Sequence, residues 1–208
     1  MNVEYDNLLK TWIGEPLQNV IGKLLHSVVY YVLDSDYPDF NIDAPNASGG
    51  CQGIHLIFAN AELELDWDWQ GIFRAAQDDF VSPPIVYHLI ARSASDRQAR
   101  VRIHPEDDNH GLRAVGATGA THWKGVSSDL LLSVSVWGVL LPEERYSPQA
   151  VELRFPSAQV VIAVGMTADL SVGDGDEMLV FTQEEWAQRR SGQTSDALVA
   201  FWSAKLPV

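Results

Sequence analysis

Residues 62–69 alternate acid and apolar without interruption: Glu62, Leu63, Glu64, Leu65, Asp66, Trp67, Asp68, Trp69. On a strand, side chains two positions apart leave the same face about 6.6–6.8 Å from one another. Glu62, Glu64, Asp66 and Asp68 therefore form one row, and Leu63, Leu65, Trp67 and Trp69 the other. Carboxylates at such a separation suit acid/base chemistry on a glycosidic bond. They equally suit a wet strand face paired with basic residues of a neighbouring strand, or a surface for a basic partner or cation.

The stretch ELELD resembles the E-x-D-x-E strand of certain jelly-roll glycoside hydrolases, with the acids exchanged at Glu64 and Asp66. That resemblance implies a carbohydrate-active enzyme or small hydrolase with Glu62, Glu64 and Asp66 as its acid/base set. The tryptophans of the same stretch fall on the opposite, core-directed face, where they cannot stack on the same sugar. The non-catalytic alternative rests on five arginines between positions 92 and 113: Arg92, Arg97, Arg100, Arg102 and Arg113. QARVRIH alternates, so Arg100, Arg102 and His104 share a face and are expected opposite the acid row. Glu64, Asp66, Asp68, Arg100 and Arg102 form the expected binding set.

Two other clusters carry ligand-type residues. HPEDDNH brings His104, Asp108 and His110 into one short stretch, and imidazole with carboxylate suits zinc, manganese or iron. Its His-x5-His spacing matches no standard zinc pattern, and a polar turn has the same composition. SVGDGDEM offers Asp174, Asp176 and Glu177 around Gly175, but lacks the ligand number and the later glutamate of a calcium loop. An Asp-Gly hairpin turn explains it better. Cys51 is the only cysteine, which rules out internal disulfides and thiolate clusters. Its NASGGCQG setting has no base beside it to lower a thiol pKa. GLRAVGATGA lacks the lysine and hydroxyl of a P-loop, and no G-x-S-x-G or H-E-x-x-H is present. Nothing in the sequence asks for a cofactor.

The elements that must position these residues are mostly strands. VVYYVLD, GIHLIF, LELDW, VRIH, SVSVWGV, VELRF, VVIAV and MLVF are rich in β-branched and aromatic residues and bounded by turn formers. Helical signals lie at the ends. VEYDNLLKTW is expected to form a helix before Gly14, and Thr182 and Glu185 form a capping-box pattern ahead of EEWAQRR. Ser195-Asp196 is expected to cap a last helix through ALVAFW.

The chain also contains itself. LLHSVVYYVL (24–33) aligns with LLLSVSVWGV (130–139), and GIHLIFANAELELD (53–66) with AVELRFPSAQVVIA (150–163). Each unit reads strand, loop, strand, tight turn, strand. In the second unit Gln159, Val161 and Ala163 replace Glu62, Glu64 and Asp66, so the unit can be built without carboxylates. The expected fold is α+β and β-rich, with two related antiparallel β-units forming a sheet, sandwich or partial barrel. The expected layout is one domain over 1–208: units at 20–69 and 126–181, a basic hairpin insert at 70–125 and a C-terminal helical cap at 182–208.

With 208 residues, of which 46% are hydrophobic and 20% charged, the chain can bury an ordinary core. Twenty-eight acids against 14 bases give a net charge of −14. That field repels nucleic acid and favours a basic protein partner. The longest apolar run, LLLSVSVWGVLL, is too short to span a bilayer, and the N-terminus lacks a basic leader ahead of an apolar run. The expectation is a cytoplasmic, non-catalytic binding protein with an acidic, tryptophan-rich surface, in general character like bacterial immunity proteins. A metal-binding protein is a further alternative.

Overall fold

The structure, a computed structural model, describes residues 3–33, 35–47, 51–68, 88–93, 111–141, 145–166, 171–172, 177–192 and 198–207. Helix α1 (Val3–Leu9) passes through a π-helical turn (Lys10–Gly14) into α2 (Glu15–Val20). The helical segment thus continues past Gly14 instead of stopping there. Gly14 is buried, 3.6 Å from Trp202 at the place where a side chain would begin. Pro16 follows the π-helical turn inside this continuous segment, where it has no N–H to give the helical ladder.

Two antiparallel sheets follow. Sheet one consists of β1 (Leu25–Leu33), β2 (Gly53–Phe58), β3 (Ala61–Asp68), β4 (His88–Ser93) and β5 (Leu112–Gly116), in the order β4-β3-β2-β1-β5. Sheet two consists of β6 (Ser133–Leu141), β7 (Arg145–Arg154), β8 (Gln159–Met166), β10 (Glu177–Thr182) and β11 (Val199–Lys205), in the order β10-β8-β7-β6-β11. The two-residue β9 (Ser171–Val172) pairs with β8. Helix α3 (Gln183–Gly192) lies between β10 and β11.

The two sheets repeat each other residue by residue. Val28 pairs with Leu56 and Tyr30 with Ile54, just as Val134 pairs with Leu153 and Val136 with Val151. Leu63 faces Leu56 as Val160 faces Leu153, and Leu65 faces Ile54 as Ile162 faces Val151. The edge strands follow suit. Glu64 faces Arg92 on β4 where the equivalent Val161 faces Phe181 on β10, and Val115 of β5 occupies the place of Trp202 of β11. This is the internal duplication expected from the alignment, extended to five strands per unit.

The units meet about a local two-fold. Leu24 bridges Leu130, its own counterpart. The Gly22 amide donates to Leu131 O at 2.9 Å, and the equivalent Ser128 amide to Leu25 O at 2.6 Å. Leu25 N to Asp129 O and Leu131 N to Lys23 O complete a symmetric ladder at 3.0 and 3.1 Å. Even the backbone strain is duplicated: Gly22 has φ 78 and Ser128 φ 71, left-handed values that serine adopts only at a cost.

Inner faces of both sheets supply one core. Val28, Tyr30, Val32, Ile54, Leu56, Leu63 and Leu65 meet Val134, Val136, Val151, Leu153, Val160, Ile162, Met178 and Val180. β4 packs over β7 and β8, and its counterpart β10 over β2 and β3. Each fully buried aliphatic side chain contributes about 1.5–3 kcal/mol from its transfer out of water.

At the C-terminal end the expectation is half right. The capping box forms: the Thr182 amide donates to Glu185 Oε2 at 2.7 Å and the Glu185 amide to Thr182 Oγ1 at 3.3 Å. Where the last helix is expected the described residues form β11, so the described part of 182–208 is one helix and one strand, and the expected cap Ser195-Asp196 lies outside the described residues. Val199, Phe201 and Trp202 suit a strand, and β6 offers an unpaired edge that only a strand can satisfy.

Candidate functional site

The β2–β3 turn sets the acid row. Asn60 adopts φ 60, the left-handed value that asparagine tolerates in tight turns, and closes the hairpin with Phe58 opposite Ala61. That register puts Leu63 and Leu65 in the core and Glu62, Glu64 and Asp66 on the outer face, as the alternation requires. The outer face is not wet, however. Glu64 is 3% exposed, Asp66 7% and Arg92 5%.

Burial of charge has to be compensated. Arg92 Nη2 lies 3.5 Å from Asp66 Oδ2, a diagonal pair between β4 and β3. The Trp67 amide donates to Asp66 Oδ1 at 2.8 Å. The guanidinium carbon of Arg92 is 5.9 Å from the centre of the Trp12 ring, so the helical segment helps hold the cation. Its Nε is buried with no hydrogen-bond partner among the described residues. At the other end of the row, buried His55 Nε2 contacts Glu62 Oε2 at 3.0 Å, while Glu62 itself stays half exposed. The His55 ring stacks against Tyr31, with centroids 6.4 Å apart.

The structure brings Glu64 and Asp66 together with Arg92, which is outside the expected binding set. Arg100 and Arg102 lie outside the described residues, as do His104, Asp108, His110, Asp174 and Asp176. Asp68 is described only through its backbone, opposite His88. Among the described residues no group of three or more His, Cys, Asp or Glu could hold a metal. Cys51 is fully buried, and its thiol pKa is pushed up by burial and then by Glu177, the reverse of what a nucleophile needs.

A second region was not singled out by composition. The β1–β2 loop differs greatly in length between the two units. Leu33 to Gly53 spans twenty positions where the equivalent Val139 to Ala150 spans eleven, so the unit-one loop is nine residues longer. Its far end is stapled along β10, the edge strand of sheet two. Asn46 donates to Val180 O at 2.6 Å and accepts from Val180 N at 2.8 Å, and the Met178 amide donates to Cys51 O at 2.6 Å. Asp43 Oδ1 accepts from the amide and hydroxyl of Thr121 at 2.9 and 3.0 Å. The adjacent His122 contacts Glu185 Oε2 at 3.2 Å, which ties the same rim to α3.

Ahead of these anchors the loop packs Phe40 and Ile42 against the core and turns several polar residues to water. A short 3-10 turn (Tyr37–Asp39) exposes Tyr37 to 40%, next to exposed Pro38, Asp39 and Asn41 and half-buried Asp36. Arg113 of β5 lays its guanidinium carbon 3.9 Å from the Tyr37 ring centre, and the preceding Leu112 is 44% exposed. Here an exposed aromatic ring with a guanidinium over it and two neighbouring aspartates sit on one pre-organised loop. The signal for it was present in the sequence, as the nine-residue excess of SDYPDFNIDAPNASGGCQG over its counterpart.

Comparison of the chain with protein-family models, with curated proteins and with solved structures finds no match. Among the described residues no helix is long and apolar enough to cross a membrane.

Proposed function

We propose that the protein is a non-catalytic, cytoplasmic binding protein whose acidic surface receives a basic partner protein, in the manner of an immunity protein. The observation that carries the reading is the anchored β1–β2 loop. It adds nine residues to a shared hairpin, is held at Asp43, Asn46 and Cys51, and turns Asp36, Tyr37 and Asp39 outward. Fixing a loop in advance lowers the entropy cost of binding. An exposed tyrosine ringed by charge has the make-up of an interface hot spot, and a net charge of −14 steers a basic partner toward it.

The acid/base alternative gains less from the geometry. Asp66 is engaged by Arg92, and Glu64 faces the same arginine across the strands, so neither is poised over open space.

The test immobilises the intact protein and challenges it with soluble proteins of its own host at low and at moderate salt. A basic protein retained at low salt and released as salt rises is expected. Its retention should fall at least tenfold with Asp36→Asn/Asp39→Asn and persist with Asp6→Asn/Glu15→Gln, an acidic pair elsewhere on the surface. Equal loss in both variants, or no salt-sensitive partner, overturns the proposal.

A further inference from the structure

We infer that the Tyr37 ring is a platform for a partner's arginine, and that Arg113 occupies it in the free protein. This rests on the binding function proposed above and goes further by naming the group recognised. A guanidinium already lies over the ring at 3.9 Å, so the ring's geometry and surroundings accept a planar cation. Tyr37 remains 40% exposed with Arg113 in place, so part of the ring is open to a second arginine. Asp36 and Asp39 flank the ring, and the Ser35 hydroxyl donates to Asp36 Oδ1 at 3.1 Å, which fixes one of those carboxylates.

Five large hydrophobic side chains are exposed among the described residues, and one of them, Tyr37, lies under Arg113. In the duplicated fold Val199 pairs with Gly138 as Arg113 pairs with Val32, so unit two carries no cation at this place. Only the unit-one end adds the long loop with its aromatic ring and aspartates. Arginine fits better than lysine because its flat, weakly hydrated cation stacks on an aromatic face. An exposed stack of this kind is weak, so an incoming arginine can compete with Arg113 for the ring.

The test uses the full chain and a fluorescent twelve-residue peptide alternating glycine and arginine, titrated at low salt by anisotropy. Arg113→Gln is expected to tighten binding by about two- to fivefold, the worth of one exposed cation–π contact. Removing a positive charge would also tighten binding without any role for the ring, so the same substitution is made in a Tyr37→Leu background. If the gain vanishes there, the ring is the site of exchange. A gain of the same size in Tyr37→Leu, or weaker binding by Arg113→Gln, overturns the inference while leaving the proposed function standing. Failure of the peptide to bind at low salt, with no effect of Asp36→Asn/Asp39→Asn, overturns both.

Discussion

On the outer face of sheet two, Val161, Ala163, Leu179 and Phe181 lie with Trp186 of α3 in a second apolar cluster. At the same register positions sheet one carries Glu64, Asp66, Ile90 and Arg92. The flanking positions differ in kind as well. His55 stacks on Tyr31, whereas the equivalent Glu152 accepts a hydrogen bond from Trp137 Nε1 at 3.2 Å. On the inner faces nothing comparable happens: both units place apolar residues at every equivalent core position named above. The duplicated fold therefore needs its inner faces and leaves its outer faces free to diverge. One became a hydrophobic seat for a helix, the other a buried ionic row.

The largest expected effect comes from breaking that row at its cation. Arg92→Met leaves two buried carboxylates facing an uncharged side chain and should cost about 3–5 kcal/mol, read from urea denaturation. Phe181→Ala, at the equivalent position of sheet two, should cost a similar amount, about 3–5 kcal/mol, through lost packing instead. The two losses differ in what repairs them. Installing the sheet-two residues in sheet one, as Glu64→Val, Asp66→Ala and Arg92→Phe together, removes the charges along with their partner. It should recover most of the Arg92→Met loss. A triple variant as unstable as Arg92→Met alone would show that something other than charge pairing fixes the row.

How far the sequence anticipates this arrangement depends on the range of the interactions involved. The duplication, the strand registers, the inward Leu63 and Leu65 and the Thr182 capping box all follow from local pattern, because period and turn chemistry are local. The acid row was legible in its direction and not in its burial. Alternation shows which side chains share a face, but only the rest of the fold decides whether that face meets water. Arg92 was one of five candidate arginines, and its selection depends on β4 pairing with β3, a contact 26 residues apart in sequence. β11 lies where the Ser195-Asp196 cap signal predicts a helix through ALVAFW, a segment without strict alternation. A bulge between Ala200 and Trp202 shifts its register, and the free edge of β6 decides its conformation. The Tyr37 patch escaped notice because the value of that loop lies in its anchors on sheet two, more than 70 residues away.

A middle-sized effect separates the interiors of the two units. In the core between the sheets unit one carries ionisable Tyr30 and Cys51 where unit two has Val136 and Pro148. Burial pushes both pKa values up, with Cys51 and Asp43 adding to the shift of Tyr30 against a hydrogen bond from Trp123. Groups that hold their protons more tightly when folded stabilise the protein below their unfolded pKa values, and that stability is lost as pH rises beyond them. The unfolded chain ionises first above about pH 9 at Cys51 and about pH 10 at Tyr30, so beyond its own value each group should cost about 1.4 kcal/mol per pH unit. Urea midpoints between pH 8 and 11 should fall less steeply in Cys51→Ala and in Tyr30→Phe than in the parent. Parallel curves would mean that neither group stays protonated in the fold.

The smallest effect is expected where the two outer faces differ least. Glu62 sits at the half-exposed end of the acid row, and unit two carries Gln159 at the same position, opposite Arg154 as Glu62 is opposite Ile57. Glu62→Gln keeps the side-chain length and an oxygen able to accept from His55 Nε2, now 3.0 Å away. What it removes is a charge that solvent already screens, so the change should be under about 1 kcal/mol and should shrink further as salt rises. The contrast with Arg92→Met then maps the row by burial, since one carboxylate is dispensable and two are not. A loss at Glu62 as large as that at Arg92 would mean that His55 depends on this carboxylate for its place in the sheet, and that the ionic row acts as a single unit from β2 to β4.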